Sequence, residues 1–132
     1  MWRQILLGSA VLGLASALHM TVLITAIDFL PVVAGDADGV RWPLIIAAFV
    51  AILLGHTLQV WVWALVLKAT GAIGSLEDAV YFALVTSTTL GYGDITLERR
   101  WRVFGAMAAV NGLLTFGLST AFLIEVFTRS YG

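Results

Sequence analysis

Residues Thr86 to Asp94 read T-S-T-T-L-G-Y-G-D, a short polar run punctuated by two glycines and set between long apolar segments. Glycine visits positive φ without a Cβ clash. If the backbone hand alternates through Thr89, Leu90, Gly91, Tyr92 and Gly93, successive carbonyls turn toward one axis. A row of inward oxygens suits a cation, and the chemistry it offers is coordination rather than bond making.

Other reactive side chains are sparse. There are no cysteines, which removes disulfides, thiol chemistry and thiolate metal sites. His19 and His56 stand on different apolar segments without metal-ligand spacing, and each is expected to hydrogen-bond a neighbouring helix. Asn111 and Gln59 are expected to do the same, and Asn111 immediately precedes Gly112. Glu125 either pairs with Arg129, four residues on, or contributes to a ring of charge at a pore exit. No nucleophile–base pair or metal constellation appears, so an enzyme is not expected and no cofactor is implied. A formal net charge of −1 gives no basic face for nucleic acid.

The elements that must position the polar run follow from composition. The chain has 132 residues, of which 61% are hydrophobic and 11% charged, against roughly 45–50% and about 25% in soluble domains. An all-α integral membrane protein is expected, with the lipid bilayer as its surroundings. Gln4 to Ile27 is long enough to cross a hydrocarbon core of about 30 Å, with Asp28, Pro31 and Gly35 to Gly39 stopping it. Although Ala15-Ser16-Ala17 follows a short apolar run, that run continues to about Val33, and the segment is read as a retained helix rather than a cleaved signal. A second span is expected from about Pro43 to Leu67 and a third from about Val103 to Phe127. Trp42, Trp61 and Trp63 suit an interfacial belt, and Arg99, Arg100 and Arg102 an interfacial anchor.

Between the second and third spans lies a helix too short to cross. Ser75 is a good N-cap, Glu77 and Asp78 suit the first turn, and a helix from Leu76 to Ser87 or Thr88 reaches roughly 20 Å, only part-way into the membrane. Its C-terminal end carries about half an elementary negative charge, and that end meets the polar run. In a bilayer, irregular backbone survives only where protein buries it or where it lines a wet cavity.

Thr89-Leu90-Gly91-Tyr92-Gly93-Asp94 closely resembles the selectivity filter of potassium channels, and the flanking half-helix and spans resemble the rest of that family's pore domain. The resemblance implies a potassium-selective pore in which the carbonyls of Thr89, Leu90, Gly91 and Tyr92, with the Thr89 hydroxyl, ligate K+ as the permeant ion. Gly93 completes the strand and Asp94 lies behind it at the mouth. Leu90 replaces the commoner valine. Val85 stands where some bacterial members have glutamate, so Asp94 needs water or another donor such as Tyr81, and Thr88 belongs to the same supporting group. One strand cannot encircle an ion, so the resemblance implies a homotetramer. Gly112 matches an inner-helix glycine at which close packing and bending occur, and Leu113, Phe116 and Thr120 match cavity-lining positions.

The expected organisation is an additional N-terminal helix over 1–35, packed through Gly8, Gly13 and Ala17 on the outer helix, followed by a pore domain over 41–132. That first helix lacks the arginine ladder of a voltage sensor. Orientation draws on two opposed signals. Arg3, Lys68, Arg99, Arg100 and Arg102 lie on the filter side against Arg41 and Arg129 on the other, which favours a cytoplasmic filter, whereas the family places its filter outside. The family orientation is the one expected here, in a multi-pass protein of the cell membrane. A weakly selective cation channel and a non-conducting scaffold or accessory subunit are the rival readings.

Overall fold

The computed structural model describes residues 1–34 and 42–131, with side chains described over 1–29 and 42–129. Four helices account for almost all of it: α1 (Trp2–Ala34), α2 (Trp42–Ala69), α3 (Leu76–Ser87) and α4 (Arg102–Tyr131). Three of them, α1, α2 and α4, are long and apolar enough to cross a membrane, making this a multi-pass integral membrane protein. The loop expected at Gly35 to Gly39 lies outside the described residues.

Helix α1 continues past Asp28 and Pro31 to Ala34, further than expected from the sequence. Pro31 takes one i→i−4 hydrogen bond out of the last turns of the helix. Its buried stripe is Gly8, Val11, Ala15, His19 and Leu23, spaced at three and four residues as one helical face requires. The contact therefore does not use Gly13 or Ala17, both of which are exposed. Gly8 does lie at a contact, but with Met107 of α4 rather than with α2. Helix α1 packs on both α2 and α4, and is clamped to the last helix as well as to the outer one.

Two apolar clusters hold the helices together. The first joins Val11 and Ala15 of α1, Trp63 and Leu67 of α2, Ala79 and Ala83 of α3, and Phe104 and Ala108 of α4. The second, toward the other end, joins Leu23, Leu44, Ala48, Ile52, Phe122 and Val126. Between them, near the midpoints of all three long helices, lies a layer of buried polar groups. The Trp63 indole N–H donates to Asn111 Oδ1 at 2.7 Å, and Asn111 Nδ2 donates to Ser16 Oγ at 2.9 Å. Thr115 Oγ1 donates to Gln59 Oε1 at 2.6 Å. His19 and His56 both approach Ser119 Oγ. In an apolar surround an unpaired polar group is costly, so these pairs fix the depth at which each helix meets its neighbours.

Helix α3 starts as its cap dictates, with Ser75 Oγ accepting from the Asp78 amide at 3.0 Å. Twelve residues long, it reaches about 18 Å. It rests on α2 and α4, and its C-terminal end is pressed against α4. A Cβ on Gly112 would overlap the Ser87 carbonyl group, with the Ser87 carbonyl carbon at 2.6 Å and Cα at 2.8 Å.

Candidate selectivity filter

Beyond Ser87 the chain makes one turn and then runs extended. Thr88 keeps helical dihedrals, and its hydroxyl donates back to Leu84 O at 2.9 Å and Val85 O at 3.2 Å. The Thr89 amide donates to Thr86 O at 3.0 Å. Then the backbone hand alternates: φ is 60° at Thr89, 52° at Gly91 and 79° at Gly93, with no positive φ at Leu90 or Tyr92. Glycine was the visible signal for two of these positions. The third is a threonine, a β-branched residue for which the left-handed region is a true outlier, and such strain persists where surrounding structure over-determines it. Nothing in the residue type announces it.

The strand is tied to the helix that precedes it. The Gly91 amide donates to Val85 O at 3.1 Å, so Val85 contributes its carbonyl where its side chain offers no polar group. Behind the strand a cavity of about 120 Å³ is lined by Tyr81, Val85, Thr86, Gly91, Gly93 and Asp94 among others. At its edge the Tyr81 hydroxyl donates to Asp94 Oδ2 at 2.6 Å, while Asp94 Oδ1 accepts from the Ile95 amide at 3.1 Å. The bond from Tyr81 holds the Asp94 carboxyl below its ordinary range, and the same bond pushes the Tyr81 phenol up. The pair spans thirteen residues and pins the outer end of the strand to α3.

Thr89, Leu90, Gly91, Tyr92 and Gly93 are all exposed on the protomer, Leu90 by 55% and Tyr92 by 68%. Leu113, Phe116 and Thr120 are exposed as well, on one face of α4, and the Thr120 hydroxyl is turned back to Phe116 O at 3.0 Å. Phe116 also stacks on His56, with ring centroids 4.4 Å apart. Gly112 alone of that group is buried. Glu125 accepts from Arg129 Nε at 2.6 Å, the pairing alternative of the two read from sequence. Among the described residues no group of three His, Cys, Asp or Glu side chains is placed to hold a metal.

A half-length helix, followed by a strand of alternating hand and then a helix long and apolar enough to cross a membrane, is one arrangement of a pore domain. A family model described as "Ion channel" matches residues 46–129. The chain belongs to the potassium-channel pore-domain family. The matched residues take in most of α2, the half-helix α3, the strand and most of α4. The chain is also similar to potassium voltage-gated channel subfamily A member 6 of Homo sapiens and of Mus musculus, at 34% identity over 58 residues in each case. That match covers 43% of the chain and only 11% of either relative. No solved structure matches.

Proposed function

We propose that the chain forms a homotetrameric, potassium-selective pore conducting K+ passively, with the N-terminal helix (1–35) as an addition to a pore domain over 41–132. The observation that carries this reading is the alternation of φ through Thr89, Leu90, Gly91, Tyr92 and Gly93 directly after the C-terminal end of α3. Alternating hand aims the carbonyls of Thr89, Leu90, Gly91 and Tyr92 to one side, where they replace the water that a potassium ion sheds. The negative end of the α3 dipole lies beneath them and favours a cation.

Four copies are needed because one strand supplies one side of each site. Exposure of Leu90 and Tyr92 on the single protomer supports this, since both are then available for covering by neighbouring copies. Leu113, Phe116 and Thr120 line the cavity below. Gly93 closes the strand, and Asp94, Tyr81, Val85 and Thr88 brace it through the bonds described above. Tyr92 favours the selective pore over a weakly selective one, because relaxed filters commonly lose that aromatic.

Potassium flux from purified protein in liposomes tests the proposal, with Gly91→Ala as the non-conducting control. Alanine at φ 52° is strained whatever space it finds. Flux that survives this change, or equal permeability to sodium and potassium, would overturn the filter assignment. A monomeric or dimeric particle in detergent would favour the accessory-subunit reading.

A further inference from the structure

Midway along the spanning helices, two imidazoles from different helices converge on one hydroxyl of a third. His19 Nε2 of α1 lies 3.0 Å from Ser119 Oγ of α4, and His56 Nε2 of α2 lies 3.2 Å from the same oxygen. The two rings are 4.7 Å apart between centroids. His19 is completely buried, in a space that Gly55 of α2 leaves open: a Cβ there would stand 2.6 Å from His19 Nδ1. The ring of His56 stacks on Phe116 of α4.

A serine hydroxyl has one hydrogen to give and two lone pairs. It can therefore donate to one bare imidazole nitrogen and accept from the other ring's N–H, so the neutral trio is a directed chain that ends at His19 Nδ1, a buried nitrogen without a hydrogen-bond partner. A proton added to the bare ring makes both its nitrogens donors. The hydroxyl then loses its acceptor, and a cation stands among apolar helices beside a second imidazole. In water, imidazole is the side chain that gains this proton between about pH 5 and 8; among apolar helices the cation has no water to meet it.

The cluster is faced by His19 from α1, by His56 from α2, and by Ser119 and Phe116 from α4. The charged residues Asp28, Lys68 and Glu125 lie farther along those helices, Glu125 already paired with Arg129. Helix α3 contributes no residue to the trio, and no carboxylate among the described residues touches it to take up the added charge.

We propose that His19, Ser119 and His56 form a proton-sensing joint: acidification takes away the acceptor of the shared hydroxyl and loosens the inner helix from the helix whose ring is protonated, changing how readily the pore conducts. The proposal rests on the channel reading above. Ser119 adjoins Thr120, and Phe116 leans on His56, so a shift of the joint is delivered to two positions assigned to the cavity wall. The N-terminal helix thereby acquires a role, since it brings one of the two imidazoles.

The test is potassium flux in liposomes at about pH 7.5 and about pH 4, a range that runs through the window of solvated imidazole and beyond its acid end. It compares the unaltered chain with His19→Gln, His56→Gln and Ser119→Ala, each checked for assembly. Flux from the unaltered chain is expected to differ about tenfold between the two conditions, within the usual range of coupling between sites. Either glutamine variant is expected to lose most of that ratio. Ser119→Ala, which breaks the joint at every pH, is expected to show at both values the flux the unaltered chain shows in acid. Flux that ignores pH in the unaltered chain, or a ratio retained in the variants, overturns the proposal. Imidazole nitrogen resonances of the same samples separate the two levels of inference. Absence of flux throughout sinks the channel reading, while two imidazoles that titrate independently of each other and of Ser119→Ala sink the joint.

Discussion

Gly112→Ala is the sharpest test of how α3 is held. In the structure the added Cβ would overlap the Ser87 carbonyl oxygen, and would lie 2.6 Å from its carbon and 2.8 Å from Ser87 Cα. Ordinary contact begins near 3.4 Å, so the two backbones must separate by 0.8 Å at the carbon and by more at the oxygen. No flexible side chain is present to yield. Overpacking of this kind costs about 1–3 kcal/mol, and the displaced group is the last helical residue before Thr88 and Thr89. Loss should therefore appear twice, as a lower thermal midpoint of the detergent-solubilised protein and as weakened potassium over sodium selectivity. Gly13→Ala is the matched control: nothing lies within 4 Å of its Cβ position, and alanine gains up to about 1 kcal/mol of helix propensity. A Gly112→Ala protein with the stability and selectivity of the parent would refute the close approach of α3 and α4.

Tyr81→Phe removes the donor that holds Asp94 and should destabilise the outer end of the strand, read as faster loss of conduction during sustained flux; unchanged selectivity and time course would show that the bond does not brace the strand. The same pair has a defined pH window. Because the folded Asp94 carboxyl titrates below its ordinary value of 3.8, its contribution is fully present above that value and is lost only as pH falls through the lowered one. Filter stability should therefore be level from about pH 5 up to the ordinary phenol value of 10.0, above which ionisation of Tyr81 removes the donor, and a selectivity change near neutral pH in Tyr81→Phe but not in the parent would contradict that sign. Asn111→Leu leaves the buried Trp63 indole N–H without its acceptor and should cost about 1–3 kcal/mol, measurable as a lower thermal midpoint; a neutral result would mean that the indole finds another partner.

Much of this was legible from residue types. Ser75, Glu77 and Asp78 mark the start of α3, and the apolar lengths mark α2 and α4 within a few residues, whereas α1 runs seven residues past Ile27 to Ala34. The alternation of hand was readable where glycine stands, at Gly91 and Gly93, and unreadable at Thr89, where tertiary contacts override a local preference. Pairings across helices were the least accessible. His19, His56, Asn111 and Gln59 each read as a packing group, but which met which depends on relative depth. Ser16, His19, His56, Gln59, Asn111, Thr115 and Ser119 all fall near helix midpoints, and matching those depths would have suggested the layer. The contact made by α1 was misjudged in part: Gly8 lies on the buried stripe with Val11, Ala15 and His19, but Gly13 and Ala17 fall on the opposite, exposed face.

Helix α4 has 30 residues, about 45 Å of rise, against a hydrocarbon thickness of about 30 Å. A tilt of about 20°, the common value, still leaves some 12 Å outside the oily region. The Glu125–Arg129 pair stands near the C-terminal end of the helix, where charged groups favour the overhang. A leaflet that thickens would swallow part of it and drive two charged groups toward acyl chains, whereas a thinner one would leave it as a handle in water. Lipid chain length is thus a mechanical input to the same helix that carries Gly112 and Ser119.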